Sequence, residues 1–142
     1  MLTSHQLEDL RSSLKLIAPH GEQLAAAFFT RLFKAHPPLR AMFPIDTTRR
    51  NQDLLAALGT LTKNATRLTA IEHILTEFGV RNLHSGILPH HYGMARDAML
   101  EAMRETTGES WTPEIEEAWS TVLNVASSVV IRGAGRARAR AA

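Results

Sequence analysis

Apolar residues return every three or four positions along almost the whole chain. No stretch alternates apolar and polar residues with period two for long enough to make a strand. The pattern predicts an all-α protein. A first helix follows Thr3 and Ser4, which suit an N-cap, carries Leu7, Leu10, Leu14 and Ile17 on one stripe, and stops near Pro19-His20-Gly21. Residues 22–35 set Leu24, Phe28, Leu32 and the neighbouring Phe29 and Phe33 on a broad apolar face, until Pro37-Pro38 forbids continuation. A short turn over Leu39 to Phe43 and a capped loop over Pro44 to Thr48 lead to a helix over residues 49–65, with Leu54, Leu55, Leu58 and Leu61 at helical spacing. Residues 69–81 carry Ile71, Ile74, Leu75 and Phe78. The pattern then loosens at Gly79 and Gly86 before Pro89 opens a helix over residues 89–106 that ends at Gly108. Thr112-Pro113-Glu114 starts the last helix, which carries Ile115, Trp119, Val122, Val125, Val129 and Val130. Helices of uneven length, joined by short loops and lacking a heptad, fit either a bundle or an arrangement of crossed helix pairs.

A length of 142 residues with 44% hydrophobic content predicts one domain with a sizeable core, drawn at residues 1–131, followed by a basic Arg/Ala/Gly tail at 132–142. The chain has no cysteine, which removes disulfides, thiolate nucleophiles, iron–sulfur clusters and cysteine-based zinc sites. Its first residues turn polar and acidic at once, and no later run approaches about 18 apolar residues, so a cytoplasmic setting without a membrane partner is expected. The net charge is only +2, and the pI of about 9.5 owes much to the arginines from Arg132 to Arg140. Without interleaved aromatics or a binding motif, that tail reads as a solvated, frayed terminus, and no nucleic-acid partner is expected.

The architecture is decided by local sequences. The run from Phe28 to Pro44, Phe-Phe-Thr-Arg-Leu-Phe-Lys-Ala-His-Pro-Pro-Leu-Arg-Ala-Met-Phe-Pro, resembles the second-helix-to-corner segment of bacterial single-domain haemoglobins and of flavohaemoglobin globin domains. Leu54-Leu55-Ala56-Ala57-Leu58, Phe78-Gly79, Gly86, Pro89-His90-His91-Tyr92 and Ala118-Trp119 join it at family spacing, so the resemblance covers essentially the whole chain. It implies a globin fold with haem b as cofactor and a diatomic gas (O2, NO or CO) as ligand. An external electron donor is a further candidate partner, and so is a second copy of the chain in a homodimer.

The resemblance also locates the parts a haem needs. In the family pattern, the glycine matching Gly79 precedes the proximal histidine by three residues, and a glycine and an aromatic follow it by four and ten. Gly79, Gly86 and Tyr92 all point to Asn82. An amide oxygen is a poor ligand for haem iron beside imidazole. His84 becomes the candidate iron ligand, but two residues turn a helix by about 200°, so a register slip or unwinding between Gly79 and Gly86 is expected. On the plain reading, His84 is a partly exposed helix-end residue. His90-His91 looks like a metal pair, but adjacent helical residues diverge by about 100° and no third ligand is spaced to join them. His5, His20, His36 and His73 fall at helix ends or on polar faces.

On the distal side the family often places a tyrosine where this chain has Phe29 and a glutamine where it has Arg50. Phe29 cannot donate a hydrogen bond to bound oxygen, while Arg50 is either a donor to an anion or a propionate, or a solvent-facing charge. Phe43, Leu54, Leu58 and Ile87 complete the expected pocket. The family's proximal relay pairs a tyrosine with a glutamate; Tyr92 matches the first, but the second position reads Ala134.

Three functions follow. The first is a haem globin that binds a gas for storage, transport or sensing through non-standard proximal coordination. The second is a haem-free globin-fold regulatory or interaction module that takes an apolar ligand. The third is haem-dependent nitric oxide dioxygenation or peroxide reduction with an external reductase, weakened by the loss of the distal hydroxyl at Phe29.

Overall fold

In the computed structural model, which describes residues 2–43 and 47–141 without the side chains at 47, 69, 84, 137, 138 and 141, helix is the only regular structure among the described residues. Thr3 starts α1 (Ser4–Ile17) with a capping box: the Gln6 amide donates to Thr3 Oγ1 at 3.1 Å, and the Thr3 amide donates to Gln6 Oε1 at 2.9 Å. Of the predicted stripe, Leu10 and Ile17 are buried while Leu7 and Leu14 are half-buried. A 3₁₀ turn over Ala18–His20 feeds α2 (Gly21–Ala35), which stops before the two prolines; these open a second 3₁₀ segment, Pro37–Met42. The sequence continues through α3 (Thr47–Lys63), a 3₁₀ turn at Leu68–Ile71, α4 (Glu72–His84), α5 (His91–Thr107) and α6 (Pro113–Ala141). Pro44, Ile45 and Asp46, expected to form the capped loop before α3, lie outside the described residues.

The helices cross in pairs: α1 on α6, α2 on α5 and on α3, and α4 on α6. The larger core joins Leu24, Phe28, Leu32, Met99, Met103, Trp119 and Val122 from α2, α5 and α6 to Leu10 and Ile17 of α1. Each such aliphatic or aromatic side chain contributes about 1.5–3 kcal/mol when taken out of water. Its one deep polar joint satisfies itself. Trp119 Nε1–H donates to Ser13 Oγ at 2.8 Å, and that hydroxyl donates to the Leu10 carbonyl at 2.9 Å.

A smaller core holds α4 to α6 through Leu68, Ile71, Leu75, Val129 and Val130. Here the backbones themselves approach. A Cβ placed on Gly79 would lie 2.8 Å from the Val130 carbonyl oxygen, and one on Gly133 would collide with Thr76. The expected domain edge at residue 131 is therefore not marked by any break, because α6 runs on through the basic segment. Ala134 sits 3.2 Å from the position of a Gly79 Cβ, and Arg136 pairs with Glu72 at 2.5 Å. Over residues 132–136 small side chains let α4 close onto this part of α6. No helix among the described residues is long and apolar enough to cross a membrane.

Candidate functional site

α3 and α4 each pack on other helices and not extensively on one another, and the expected pocket residues fall into two groups, one on α2, α3 and the segment after α2, the other at the α4–α5 corner. The distal wall is aromatic. Phe29, buried in α2, has ring centres of Phe28, Phe43 and Phe33 at 4.9, 5.3 and 5.7 Å, with the first two edge-on. Phe33 and Phe43 close the group at 5.7 Å. Edge-on and tilted pairs at these distances add about 0.5–1.5 kcal/mol beyond area burial.

Arg50, in the first turns of α3, does not reach outward into solvent. Its guanidinium carbon lies 4.3 Å from the Phe29 ring centre and 5.5 Å from that of Phe33. Its Nε is buried and has no hydrogen-bond partner. One and two turns further along the same helix stand Leu54, half-buried, and Leu58, only 3% exposed. The wall therefore presents apolar surface and one unsatisfied donor.

The proximal wall is built from hydrogen bonds. α4 ends in a Schellman motif: the Ile87 amide donates to the Asn82 carbonyl at 2.8 Å and the Gly86 amide to the Leu83 carbonyl at 3.1 Å. Gly86 carries the positive φ of 95° that this ending requires, and Ile87 is buried as its apolar partner. The helix is regular through His84, so the unwinding expected between residues 79 and 86 is confined to the stretch after residue 84. Close packing of Gly79 on α6 explains why that glycine does not loosen the helix.

Asn82 turns its amide to the start of α5, where Nδ2–H donates to the Tyr92 hydroxyl at 2.9 Å. Burial pushes the Tyr92 hydroxyl above its ordinary titration range, and the Asn82 bond offsets part of that rise. The residue expected to complete the relay, Ala134, packs instead at the α4–α6 crossing. The His84 side chain lies outside the described residues. Phe29, Phe43, Arg50, Leu54 and Leu58 thus belong to one group, on α2, α3 and the segment after α2, and Asn82, Ile87 and Tyr92 to another, at the α4–α5 corner.

Sequence reasoning missed the stacking of Arg50 on Phe29 and the part played by Phe33. It also missed a cluster of imidazoles: His36 at the end of α2 lies 5.0 Å from His91 and 6.5 Å from His90 between ring centres, and His90 and His91 are 4.1 Å apart. Helical spacing within one segment could not find a contact across 55 residues of chain. No group of three or more His, Cys, Asp or Glu converges to hold a metal ion among the described residues.

Comparison with known proteins adds an independent line. A family model described as Globin matches residues 26–130. The flavohemoproteins of Bacillus subtilis and Vibrio cholerae are each 26% identical over 134 residues; the alignments cover 92% of this chain and 34% of theirs, so the chain spans about a third of these relatives. A bacterial globin from Campylobacter jejuni superposes with a TM-score of 0.84 at 16% identity, covering 96% of this chain and 99% of the other. A flavohemoglobin from Malassezia yamatoensis, solved with FAD and heme, gives a TM-score of 0.80 at 21% identity, over 97% and 38%.

Proposed function

The chain belongs to the globin family, and on that premise we propose that it holds haem b between α3 and α4 and binds a small diatomic gas there, for storage, transport or sensing. The observation that carries this reading is Arg50, whose buried, partnerless Nε lies over an aromatic wall of just the kind a flat porphyrin needs. A donor left unsatisfied inside a structure is costly, about 1–3 kcal/mol, unless a ligand or propionate meets it. Haem would supply an open iron position for the gas. Phe29, Phe43, Leu54 and Leu58 exclude water from that side, and Arg50 supplies its one hydrogen-bond donor. Phe29 has no hydroxyl, so oxygen is held less tightly than where a tyrosine stands.

The walls fit the ring better than position 82 fits the iron. The Asn82 amide N–H is committed to Tyr92, and its oxygen is a weak donor to iron. On this reading His84 supplies the protein ligand, which requires the last turn of α4 to open from its Gly86 end. Titration of the purified chain with haemin tests both points. An intense visible band that shifts with carbon monoxide after reduction is expected, weakened by His84→Ala and strengthened at least about tenfold in haemin affinity by Asn82→His. A chain that stays spectrally silent with haemin overturns the proposal.

The Asn82–Tyr92 bond favours a second reading, a haem-free globin-fold module that takes an apolar ligand or a protein partner, because it completes the proximal wall without iron. A silent haemin titration combined with an apolar ligand or a defined oligomer in solution would establish it, and tight haem binding would exclude it.

A further inference from the structure

We infer that the His36–His90–His91 cluster is an acid-released latch on the corner between α4 and α5, with His91 as its titrating bolt. Through residues 85–88 every amide has an acceptor: Ser85 uses the Arg81 and Asn82 carbonyls, Gly86 that of Leu83, Ile87 that of Asn82, and Leu88 the Nδ1 atom of His91 at 2.8 Å. Only the last acceptor can be removed by a proton. An imidazolium carries hydrogen on both ring nitrogens, so protonated His91 turns a donor toward the Leu88 N–H and the bond is lost.

The arrangement is that of a helix start. Pro89 lies in the turn that leads into α5, where the His91 and Tyr92 amides donate to the Leu88 and Pro89 carbonyls, and the side chain three residues after Leu88 reaches back to its amide, as a glutamine or glutamate does in a capping box. A histidine there makes the cap dependent on pH. His91 is 4% exposed, so a charge on it is poorly solvated, and its two imidazole neighbours, His36 from α2 and His90 from its own turn, add repulsion when they too are charged. Both effects lower its pKa from the ordinary 6.5, burial being the larger.

None of the three histidines is in an ion pair among the described residues. Several charged groups of the flanking elements are engaged elsewhere: Arg31 with Glu101 and Glu105, Arg40 over the Phe33 ring, Arg96 with Asp97 and Asn124, and Arg132 with the Ser128 carbonyl, while Lys34 on α2 and Glu77 and Arg81 on α4 are further charges on the elements that meet at this corner. The sign follows. The latch is fully closed above about pH 6.5 and opens as pH falls toward the lowered folded value, because the unfolded chain takes up the proton first. Opening frees Leu88 next to Ile87, and it frees the first turn of α5, which carries Tyr92 to Asn82. Acid therefore loosens the proximal wall, whether or not haem is bound.

Hydrogen exchange resolved by residue, on the chain as it stands, tests this. Between about pH 7.5 and 5.5 the protection factor of the Leu88 amide should fall several-fold, up to about tenfold, while amides in the middle of α1 keep theirs. His91→Gln retains an acceptor that no proton removes, and should hold Leu88 protected at both values. His91→Ala should leave it unprotected at both. Equal protection of Leu88 in the parent chain at the two pH values, or the same pH dependence in His91→Gln as in the parent, would overturn the latch.

Discussion

The distal wall and the proximal wall of this globin are stabilised by different physics. On the distal side Phe28, Phe29, Phe33 and Phe43 bury large rings against one another, with the Arg50 and Arg40 guanidiniums over their faces. On the proximal side the contacts are small and directional: the Schellman ending at Gly86, the Asn82–Tyr92 bond, the Leu88–His91 bond, and the backbone approach of Gly79 to α6. A wall of rings tolerates change in its occupant because dispersion and area burial have no direction. A wall of hydrogen bonds is specified atom by atom, so a single substitution there, such as asparagine at position 82, changes which atoms pair.

The largest effect should come from the rings. Phe29 is buried and touches three other aromatics, so Phe29→Ala removes both its transfer energy and its edge-on partners and leaves a cavity. A loss of about 3–5 kcal/mol is expected in denaturant unfolding. A loss under about 1 kcal/mol would mean that the remaining rings collapse into the space, and that the distal wall is as adaptable as a liquid.

The proximal wall should give a smaller loss but a more telling sign. Glycine in a helix interior normally costs about 0.5–1 kcal/mol against alanine, so replacing it should stabilise. Gly59 in α3 has nothing within 4 Å of a built Cβ, and Gly59→Ala should show that gain. At Gly79 the same methyl meets the Val130 carbonyl oxygen and a Val130 methyl, each at 2.8 Å. Backbone cannot step aside cheaply, so Gly79→Ala should destabilise by about 1–3 kcal/mol. Opposite signs at the two glycines, read from unfolding midpoints at constant slope, would establish the close crossing; equal signs would remove it.

These two tests mirror what the chain revealed before its fold was known. Helix positions and the ring cluster were legible because large apolar side chains at helical spacing have few places to go. Phe29, Phe43, Leu54 and Leu58 could be named together on that basis, with the family resemblance supplying which face they share. Asn82 was also legible as an oddity, because the family resemblance, aligned on Gly79, Gly86 and Tyr92, puts the proximal position there. What stayed hidden was how the chain accommodates it. The expected unwinding between residues 79 and 86 assumed that two glycines weaken α4, whereas one is held by packing against α6 and the other ends the helix through its positive φ. Neither fact is written in a single segment. The contact of His36 with His91 was hidden for the same reason, and so was the engagement of Gly133, Ala134 and Arg136 with α4.

The smallest expected effect is the one that bears most on function. Arg50 lies on the boundary between the walls, and two opposing terms act on it. Stacking on Phe29 contributes about 0.5–2 kcal/mol, depending on how far the guanidinium is desolvated. The partnerless buried Nε costs about 1–3 kcal/mol, reduced because the rest of the guanidinium is not fully withdrawn from water. The terms nearly cancel, so Arg50→Met, which keeps the aliphatic stem and discards the charge, should change the stability of the ligand-free chain by less than about 0.5 kcal/mol. On these terms Arg50 adds little net stability to the ligand-free chain, which leaves its buried Nε–H as a donor for a bound ligand. If thermal unfolding instead shows a loss comparable to that of Phe29→Ala, Arg50 belongs to the scaffold, and the distal wall has no donor to spare for a ligand.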